Sequence, residues 1–196
     1  MDTQRLWRSI VGSLASVLVF LLGACTPPAF KSVDITGADF ARDFSLDSAS
    51  GGQRSLADFR GKVVVVFFGF TQCPDVCPTT LADLAEAKKR LGAAGDQVQA
   101  VFITIDPERD TAAVLAQYVP AFDPSFVALR GSAEQIAAAA KEFKIYYQKV
   151  AGKTPTSYTM DHTAGAYVFD KQGRVRLFMR HGTGVDDIVA DLRQLL

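Results

Sequence analysis

Histidine and cysteine are scarce in this 196-residue sequence, and its formal net charge is zero. The 21 Lys and Arg are balanced by 21 Asp and Glu, so the chain has no basic excess with which to neutralise nucleic-acid phosphates. Two histidines are too few for a His-rich metal cage, which leaves sulfur, carboxylates or a single imidazole as metal ligands. Three cysteines are too few for a scaffold held by several disulfides. The composition therefore argues against nucleic-acid binding and against a disulfide-stapled fold.

The length and the hydrophobic content of 48% fit one domain with a sizeable core and an appended N-terminal segment. Arg5 and Arg8 precede a largely apolar stretch over residues 10–22, whose length is typical of a secretion signal. Leu22-Gly23-Ala24-Cys25 resembles the lipobox of bacterial lipoproteins, and this resemblance implies that Cys25 is acylated. An uncleaved anchor helix with an unmodified Cys25 is the alternative.

Three segments are predicted on this basis. Residues 1–24 form a signal peptide, residues 25–39 a lipid-anchor tether, and residues 40–196 the folded domain. Either interpretation of Cys25 places that domain outside the cytoplasm, on the periplasmic or extracytoplasmic face of a bacterial membrane.

The hydrophobic pattern of the domain predicts an α/β fold. Residues 62–70 are apolar at nearly every position, which is typical of a central strand covered on both faces. Further strands are predicted at 97–105, 126–129, 165–169 and 174–179, and an inserted hairpin at 145–150 and 157–160. Helices are predicted at 79–91, after Asp110, from Ser132 to about Phe143, and around 185–192. This order is that of the thioredoxin-like fold: a mixed sheet with flanking helices, and here a β-hairpin insertion before the last sheet hairpin.

The helix after Asp110 illustrates how the ends and faces of helices are predicted. An aspartate directly before an amphipathic segment is a favoured N-cap, so Asp110 is expected to cap this helix. Val114, Leu115 and Tyr118 are expected on its inner face.

Cys73 and Cys77 lie in Thr71-Gln-Cys-Pro-Asp-Val-Cys-Pro, between the first buried strand and the first long helix. Ligands of open α/β sheets bind at the carboxyl end of a central strand. Pro78 suits the first helical turn, so Cys77 is predicted near the helix N-terminus and Cys73 one turn earlier. The helix dipole stabilises a thiolate there by only about 0.3–1 kcal/mol. A strongly acidic thiol would therefore need a metal or another cation nearby.

Three chemistries are open to this cysteine pair. An extracytoplasmic location permits a structural disulfide, although so short a loop gains little stability from one. The position between strand and helix is also typical of a redox-active dithiol. Two thiolates one turn apart also suit a soft metal, and with an imidazole they suit copper in either oxidation state.

His162 is the candidate for the third ligand. It precedes a strand that is expected to lie beside the strand carrying the cysteines. Oxidoreductases of this fold normally have a cis-proline at this position, whereas here the sequence has Asp161-His162 and the nearest proline is Pro155. An imidazole in place of proline favours metal binding over thiol exchange. The alternative is a hydrogen-bonded histidine at a strand end, with no metal.

Other candidate ligands are weaker. His181 precedes a glycine turn and is interpreted as a surface residue. Met160 and Met179 offer thioethers, but filling the core is the more ordinary role for each. Asp161 is predicted to orient or tune the site from outside the ligand set, with an ordinary turn aspartate as the alternative.

Three motifs together resemble the Sco/SenC family in the same order. They are Gly69-Phe-Thr-Gln-Cys-Pro-Asp-Val-Cys-Pro-Thr79, Thr104-Ile-Asp-Pro-Glu-Arg-Asp110 and Asp161-His162-Thr163, and the resemblance covers roughly residues 35–196. It implies a membrane-tethered, thioredoxin-like copper-binding domain with Cys73, Cys77 and His162 as copper ligands. It also implies that the loop Asp106–Asp110 lies near the site. Gln72 departs from the pattern, since many members have histidine there, but the three-ligand set is complete.

The resemblance implies a copper chaperone for the binuclear copper centre of cytochrome c oxidase. The expected partners are subunit II of that oxidase or another cuproprotein, the membrane, and a thiol-reducing partner. Oxidation of Cys73 and Cys77 to a disulfide would release the metal, because a disulfide offers no thiolates. The rival function is that of a thiol-disulfide reductase acting on the cysteines of the oxidase copper site. A peroxidase is disfavoured, because Thr71 stands only two residues before Cys73 and the proline of the Pro-x-x-x-Thr-x-x-Cys pattern is missing.

Overall fold

The computed structural model of the protein describes residues 29–154 and 157–196. The predicted signal peptide over residues 1–24, the acylation site Cys25 and Pro155 lie outside the described residues. Within the two described ranges, no helix is long and apolar enough to cross a membrane.

Three short strands open the described chain, strands and α-helices then alternate, and two hairpins and a final helix follow. The strands are β1 (Val33–Asp34), β2 (Ser45–Ser48), β3 (Gln53–Ser55), β4 (Val63–Gly69), β5 (Val98–Thr104), β6 (Val127–Arg130), β7 (Tyr147–Ala151), β8 (Tyr158–His162), β9 (Gly165–Phe169) and β10 (Val175–Arg180). The α-helices are α1 (Val76–Arg90), α2 (Ala112–Tyr118), α3 (Ala133–Glu142) and α4 (Val185–Leu195).

Eight strands form one mixed sheet in the order β1-β10-β9-β4-β5-β6-β2-β3. The central strand β4 is parallel to β5 and antiparallel to β9, while β7 and β8 pair with each other as a separate two-stranded sheet. The predicted α/β fold, with its inserted hairpin before the last sheet hairpin, is confirmed.

The core lies on both faces of the two central strands. All seven residues of β4 and all seven of β5 are buried, which explains their unbroken apolar sequence. Phe67 packs against Phe102 on one face, with ring centroids 6.0 Å apart. Phe68 packs against Phe143, which directly follows α3, on the opposite face, at 5.2 Å. Both faces of the central strands are therefore packed. The two cysteines follow the end of β4, and Cys77 contacts the face of the sheet that carries Phe67.

The helix after Asp110 differs from its prediction. Its N-cap is Thr111, whose side chain accepts a hydrogen bond from the backbone N–H of Val114, so the prediction that Asp110 caps this helix is wrong. Asp110 is buried and bonds to other threonines near the cysteines. Leu115 is buried as predicted, whereas Val114 is 40% exposed and does not belong to the inner face.

The residues just before the predicted domain boundary belong to the fold. Val33 and Asp34 form β1 and pair with β10 at the edge of the large sheet. The backbone N–H groups of Lys31 and Ser32 donate to the carboxylate of Asp191 in α4, at 2.7 and 2.8 Å. These residues lie in the predicted tether over residues 25–39, and their hydrogen bonds attach them to β10 and α4.

Asp191 provides a test of this attachment. The change Asp191→Ala leaves two backbone N–H groups without their charged acceptor, so we expect the free energy of unfolding to fall by roughly 2–3 kcal/mol. Urea denaturation of the described domain measures the loss. Asp187→Ala, an exposed change in the first turn of the same helix, is the control and should cost well under half as much. Equal losses in the two variants would contradict a special role for Asp191.

Candidate metal centre

The two cysteines lie where β4 gives way to α1. The N–H of Cys73 donates to the carbonyl oxygen of Phe70 at 3.3 Å, which turns the chain directly after the strand. The N–H of Cys77, in the first turn of α1, donates to Sγ of Cys73 at 3.4 Å. Cys73 therefore precedes the helix and Cys77 lies inside its first turn, as predicted.

The sulfur of Cys77 is enclosed by the end of β4. Cys77 is 0% exposed, whereas Cys73 is half-buried. A Cβ atom added to Gly69 would lie 2.8 Å from Sγ of Cys77 and 2.9 Å from the ring of Phe102. Glycine at position 69 thus gives the buried thiol room beside the sheet.

His162 reaches the cysteines from the inserted hairpin. It is the last residue of β8, and its Nε2 atom lies 3.8 Å from Sγ of Cys77. The ligand atoms of Cys73, Cys77 and His162 all lie within 4.8 Å of one another. The structure therefore brings together three side chains that are up to 89 residues apart in sequence, in the set that the sequence analysis selected.

Hydrogen bonding fixes the orientation of the imidazole. Nδ1 of His162 lies 2.9 Å from the carbonyl oxygen of Thr163, and since a carbonyl only accepts, Nδ1 carries the proton. The lone pair then resides on Nε2, which is the nitrogen beside Cys77. The rings of Phe67 and Phe70 stand edge-on to the imidazole, at 68° and 87°, and hold its plane. The imidazole is thus prepared as a metal ligand before any metal arrives.

Burial favours the uncharged forms of Cys77 and His162 in the absence of metal. Desolvation raises the pKa of the Cys77 thiol far above its ordinary value. Desolvation also lowers the pKa of His162, although its hydrogen bond to Thr163 and the charge of Asp161 act in the opposite direction. The helix dipole is too weak to offset the desolvation of Cys77, so a thiolate there requires a cation at the site.

The other candidate residues lie around the site without joining the ligand group. His181 is exposed, with Nδ1 3.3 Å from Oγ1 of Thr80 in α1. Met160 and Met179 are buried in the hydrophobic core. Asp161 is exposed and acts on His162 through its charge, while Nδ1 of His162 donates its hydrogen bond to the carbonyl oxygen of Thr163.

Asp110 lies near the cysteines, as expected of the Asp106–Asp110 loop, but its role differs from that of the predicted helix cap. Its buried carboxylate accepts hydrogen bonds from the N–H and Oγ1 of Thr71 and from Oγ1 of Thr104. Desolvation raises the pKa of Asp110, and these hydrogen bonds counteract the rise. The carboxylate thereby ties the residue two positions before Cys73 to the end of β5. The Thr104–Asp110 motif was a signal for this role, but its spacing alone fits a helix cap equally well.

Comparison with known proteins places the chain in a family. The sequence profile described as SCO1/SenC matches residues 33–196. The chain belongs to the SCO1/SenC family. This SCO1/SenC protein is 39% identical over 154 residues to the mitochondrial SCO2 homolog of Mus musculus, covering 78% of its own length and 60% of the mouse protein. It is 36% identical over 169 residues to a SCO2-like protein of Rickettsia felis, covering 84% of the chain and 81% of that protein.

Solved structures of the family share its thioredoxin-like fold. A structure of Thermus thermophilus apo Sco1 has a TM-score of 0.78 at 41% identity, over 87% of this chain and 99% of that one. A structure of Bradyrhizobium japonicum ScoI with copper bound has a TM-score of 0.72 at 38% identity, over 79% of this chain and 98% of that one. The SCO1/SenC chain spans three fifths or less of the mammalian relatives that it matches.

The lowered pKa of His162 predicts a pH dependence of stability. The unfolded chain, with an ordinary histidine pKa near 6.5, binds the proton more readily than the folded domain. In the reduced, metal-free SCO1/SenC domain, the free energy of unfolding should therefore fall as the pH drops below about 6.5, by at most about 1.4 kcal/mol per pH unit from this group. Urea denaturation from about pH 7 to about pH 5 should show a shallower loss for His162→Gln than for the unchanged domain.

His181→Gln is the matched control for this experiment, because His181 is exposed. That variant should follow the unchanged domain across the same pH range. If His162→Gln had the same pH slope as His181→Gln, the burial of His162 would not be the cause.

The space at position 69 predicts a steric effect. Gly69→Ala would place a methyl group 2.8 Å from the sulfur of Cys77, and crowding of this kind in a packed core typically costs about 1–3 kcal/mol. Urea denaturation of the reduced domain should show this loss. Alkylation of Cys77 under native conditions should become faster as the thiol is displaced. An unchanged stability together with an unchanged alkylation rate would contradict the close packing.

Proposed function

We propose that this protein is a copper chaperone that carries copper on Cys73, Cys77 and His162. Its proposed recipient is the binuclear copper centre of cytochrome c oxidase subunit II or of another cuproprotein. The convergence of two sulfurs and one imidazole nitrogen within 4.8 Å is the observation that carries this proposal. Two relatives support it, because ScoI of Bradyrhizobium japonicum and ScoI of Arabidopsis thaliana, 38% and 34% identical to this chain, are described with copper bound.

The chemistry of the three side chains favours copper. Two thiolates are soft ligands that suit Cu(I), and an added imidazole makes the set acceptable to Cu(II). A neutral His162 with its lone pair on Nε2 needs no deprotonation before it binds. Cys77 must lose its proton, so metal binding releases protons and becomes tighter as pH rises.

Partial exposure suits transfer of the metal to a partner. Cys73 and His162 are half-buried, whereas Cys77 is fully buried behind them. A ligand from a recipient protein can therefore reach the metal from the side of Cys73 and His162. In the proposed transfer, copper is the cargo that passes from these ligands to the ligands of the recipient.

Thiol chemistry provides a route for release. When Cys73 and Cys77 reduce a disulfide of the recipient, two electrons pass to that disulfide and a Cys73–Cys77 disulfide forms. The recipient gains two thiols that can bind copper, and this protein loses both of its thiolate ligands. Reductase and chaperone activities would then be two halves of one exchange.

A thiol-disulfide reductase without a copper function is the second candidate. It is favoured by the position of Cys73, which is partly exposed just before the first turn of α1, with a second cysteine behind it. The desolvation that raises the pKa of Cys77 weighs against it, because a buried thiol is a slow nucleophile.

The proposed location is the extracytoplasmic face of a bacterial membrane, with residues 1–24 as a signal peptide and Cys25 as the lipid-bearing residue. A SCO1/SenC family structure from Bacillus anthracis, 26% identical with a TM-score of 0.70, is described as a lipoprotein and supports this assignment. Metabolic labelling with a radioactive or clickable fatty acid, compared with Cys25→Ser, tests the acylation.

Anaerobic copper titration of the reduced domain tests the ligand set. We expect one equivalent of copper to bind and the Cu(II) form to show a thiolate-to-copper charge-transfer band. His162→Ala should weaken Cu(II) binding by at least about tenfold, because the imidazole is lost, and leave disulfide exchange intact. His181→Ala is the control and should titrate like the unchanged domain. Unchanged Cu(II) affinity in His162→Ala would overturn the ligand assignment, and an unchanged domain that binds no copper would favour the reductase.

A further inference from the structure

The position of His162 relative to the cysteines needs a structural support. His162 lies on the β7–β8 hairpin, which forms a sheet separate from the one that carries the cysteines. No backbone ladder between β8 and β4 holds the imidazole beside Cys77 in the described part of the chain. The β4–β9 ladder brings the chain near the cysteines, and side-chain contacts complete the hold of the hairpin against the cysteine loop.

Arg109 connects these two segments directly. Its Nη1 atom donates to Oε1 of Gln72 at 3.0 Å, and Gln72 directly precedes Cys73. The same Nη1 donates to the backbone carbonyl oxygen of Tyr158 at 2.8 Å, and Tyr158 is the first residue of β8. One guanidinium nitrogen thus joins the start of the His162 strand to the cysteine loop.

The guanidinium is itself held in one orientation. Its Nε donates to the carboxylate of Asp106, which is 3% exposed. The other oxygen of Asp106 accepts a hydrogen bond from the hydroxyl of Tyr158 at 2.8 Å. The ring of Tyr158 lies under the guanidinium, 3.6 Å from ring centroid to Cζ. With 19% of the Arg109 side chain exposed, its contacts with Asp106 and Tyr158 are shielded from solvent, whereas Gln72 is exposed.

A second charged contact between the hairpin and the Asp106–Asp110 loop is weaker. Lys149 of β7 pairs with Glu108 at 2.8 Å, but both side chains are exposed. Exposed ion pairs contribute little and are screened by salt. Of the two cationic contacts between the hairpin and the Asp106–Asp110 loop, the one made by Arg109 is therefore the stronger.

We propose that Arg109 is a positioning residue for the metal centre, which acts by holding the His162 hairpin against the cysteine loop. Its value for copper rests on the proposed function, whereas its hold on the hairpin does not. Only the planar guanidinium can stack on Tyr158 while it donates to Asp106, Gln72 and the Tyr158 backbone. Lysine keeps the charge but lacks this geometry.

The test compares Arg109→Gln and Arg109→Lys with the unchanged domain. Supporting residues of a metal site typically contribute 10–100-fold in affinity, so we expect Arg109→Gln to weaken Cu(II) binding by about that factor. Arg109→Lys should fall between Arg109→Gln and the unchanged domain. The nitrogen coupling in the Cu(II) electron paramagnetic resonance spectrum should weaken in parallel, because the imidazole is no longer held at the metal. Arg42→Gln, which removes an arginine paired with Glu142 at the end of α3, is the control and should change neither readout.

A double variant separates positioning from general damage. If Arg109 acts through His162, then Arg109→Gln combined with His162→Ala should bind Cu(II) no more weakly than His162→Ala alone. Additive losses in the double variant, or an unchanged Cu(II) affinity and spectrum in Arg109→Gln, would overturn the proposal.

Hydrogen exchange of the reduced, metal-free domain keeps this proposal distinct from the copper function. In Arg109→Gln, the amides of β7 and β8 should exchange at least about tenfold faster, while those of β4 and β5 stay protected. If the unchanged domain binds no copper, the chaperone function fails, and faster exchange confined to the hairpin still supports the positioning role. Unchanged exchange in the hairpin would contradict that role whatever the copper result.

Discussion

The burial of Cys77 behind the end of β4 is the constraint on which the site depends. A thiolate in this position is disfavoured unless a cation compensates its charge, because the sheet and Gly69 exclude water from the sulfur. The same burial keeps His162 neutral, so the pocket presents an uncharged thiol and an uncharged imidazole to an incoming metal. A soft cation that displaces the proton of Cys77 compensates the charge of the buried thiolate. It then has the Cys77 thiolate and the His162 imidazole as ligands. The pocket thereby selects for metal binding over free thiolate chemistry.

Two separate parts of the fold set the distance between the ligands. The antiparallel register of β4 with β9, in which Phe67 lies opposite Ala166, brings the start of β9 beside the end of β4. His162 precedes β9 by three residues, so this register carries it to the cysteine loop. A slip of one residue would turn the side chains of β9 to the opposite face and remove the contact. The β4–β9 ladder sets the approximate position of His162, and the side-chain contacts of the β7–β8 hairpin set the exact position of its imidazole.

The sequence alone predicts those features of the fold that produce a hydrophobic period or a characteristic motif spacing. The buried strands β4 and β5, the helix that follows the cysteines and the inserted hairpin were predicted from such patterns. The convergence of Cys73, Cys77 and His162 was predicted from the expected strand order and from the family resemblance. The structure of the Asp110 loop was not, since a capping aspartate and a buried one occupy the same place before a helix. Strand β1 was missed because two exposed residues leave no periodic pattern. The family resemblance placed the Asp106–Asp110 loop near the site, but the contacts of Arg109 with residues 37 and 49 positions away leave no pattern in a single sequence.

The unequal exposure of the ligands implies an order of events in the proposed transfer. Cys77 is fully enclosed, so a recipient cannot approach its sulfur, whereas Cys73 and His162 form the accessible edge of the site. An incoming ligand must therefore replace Cys73 or His162 first, and the bond to Cys77 must be the last to break. Once copper has left, Cys77 regains a proton, or it forms a disulfide with Cys73 when a disulfide of the recipient takes up the two electrons, because an unpaired thiolate is costly in this pocket. The burial that disfavours a free thiolate thus also prevents the emptied site from remaining charged.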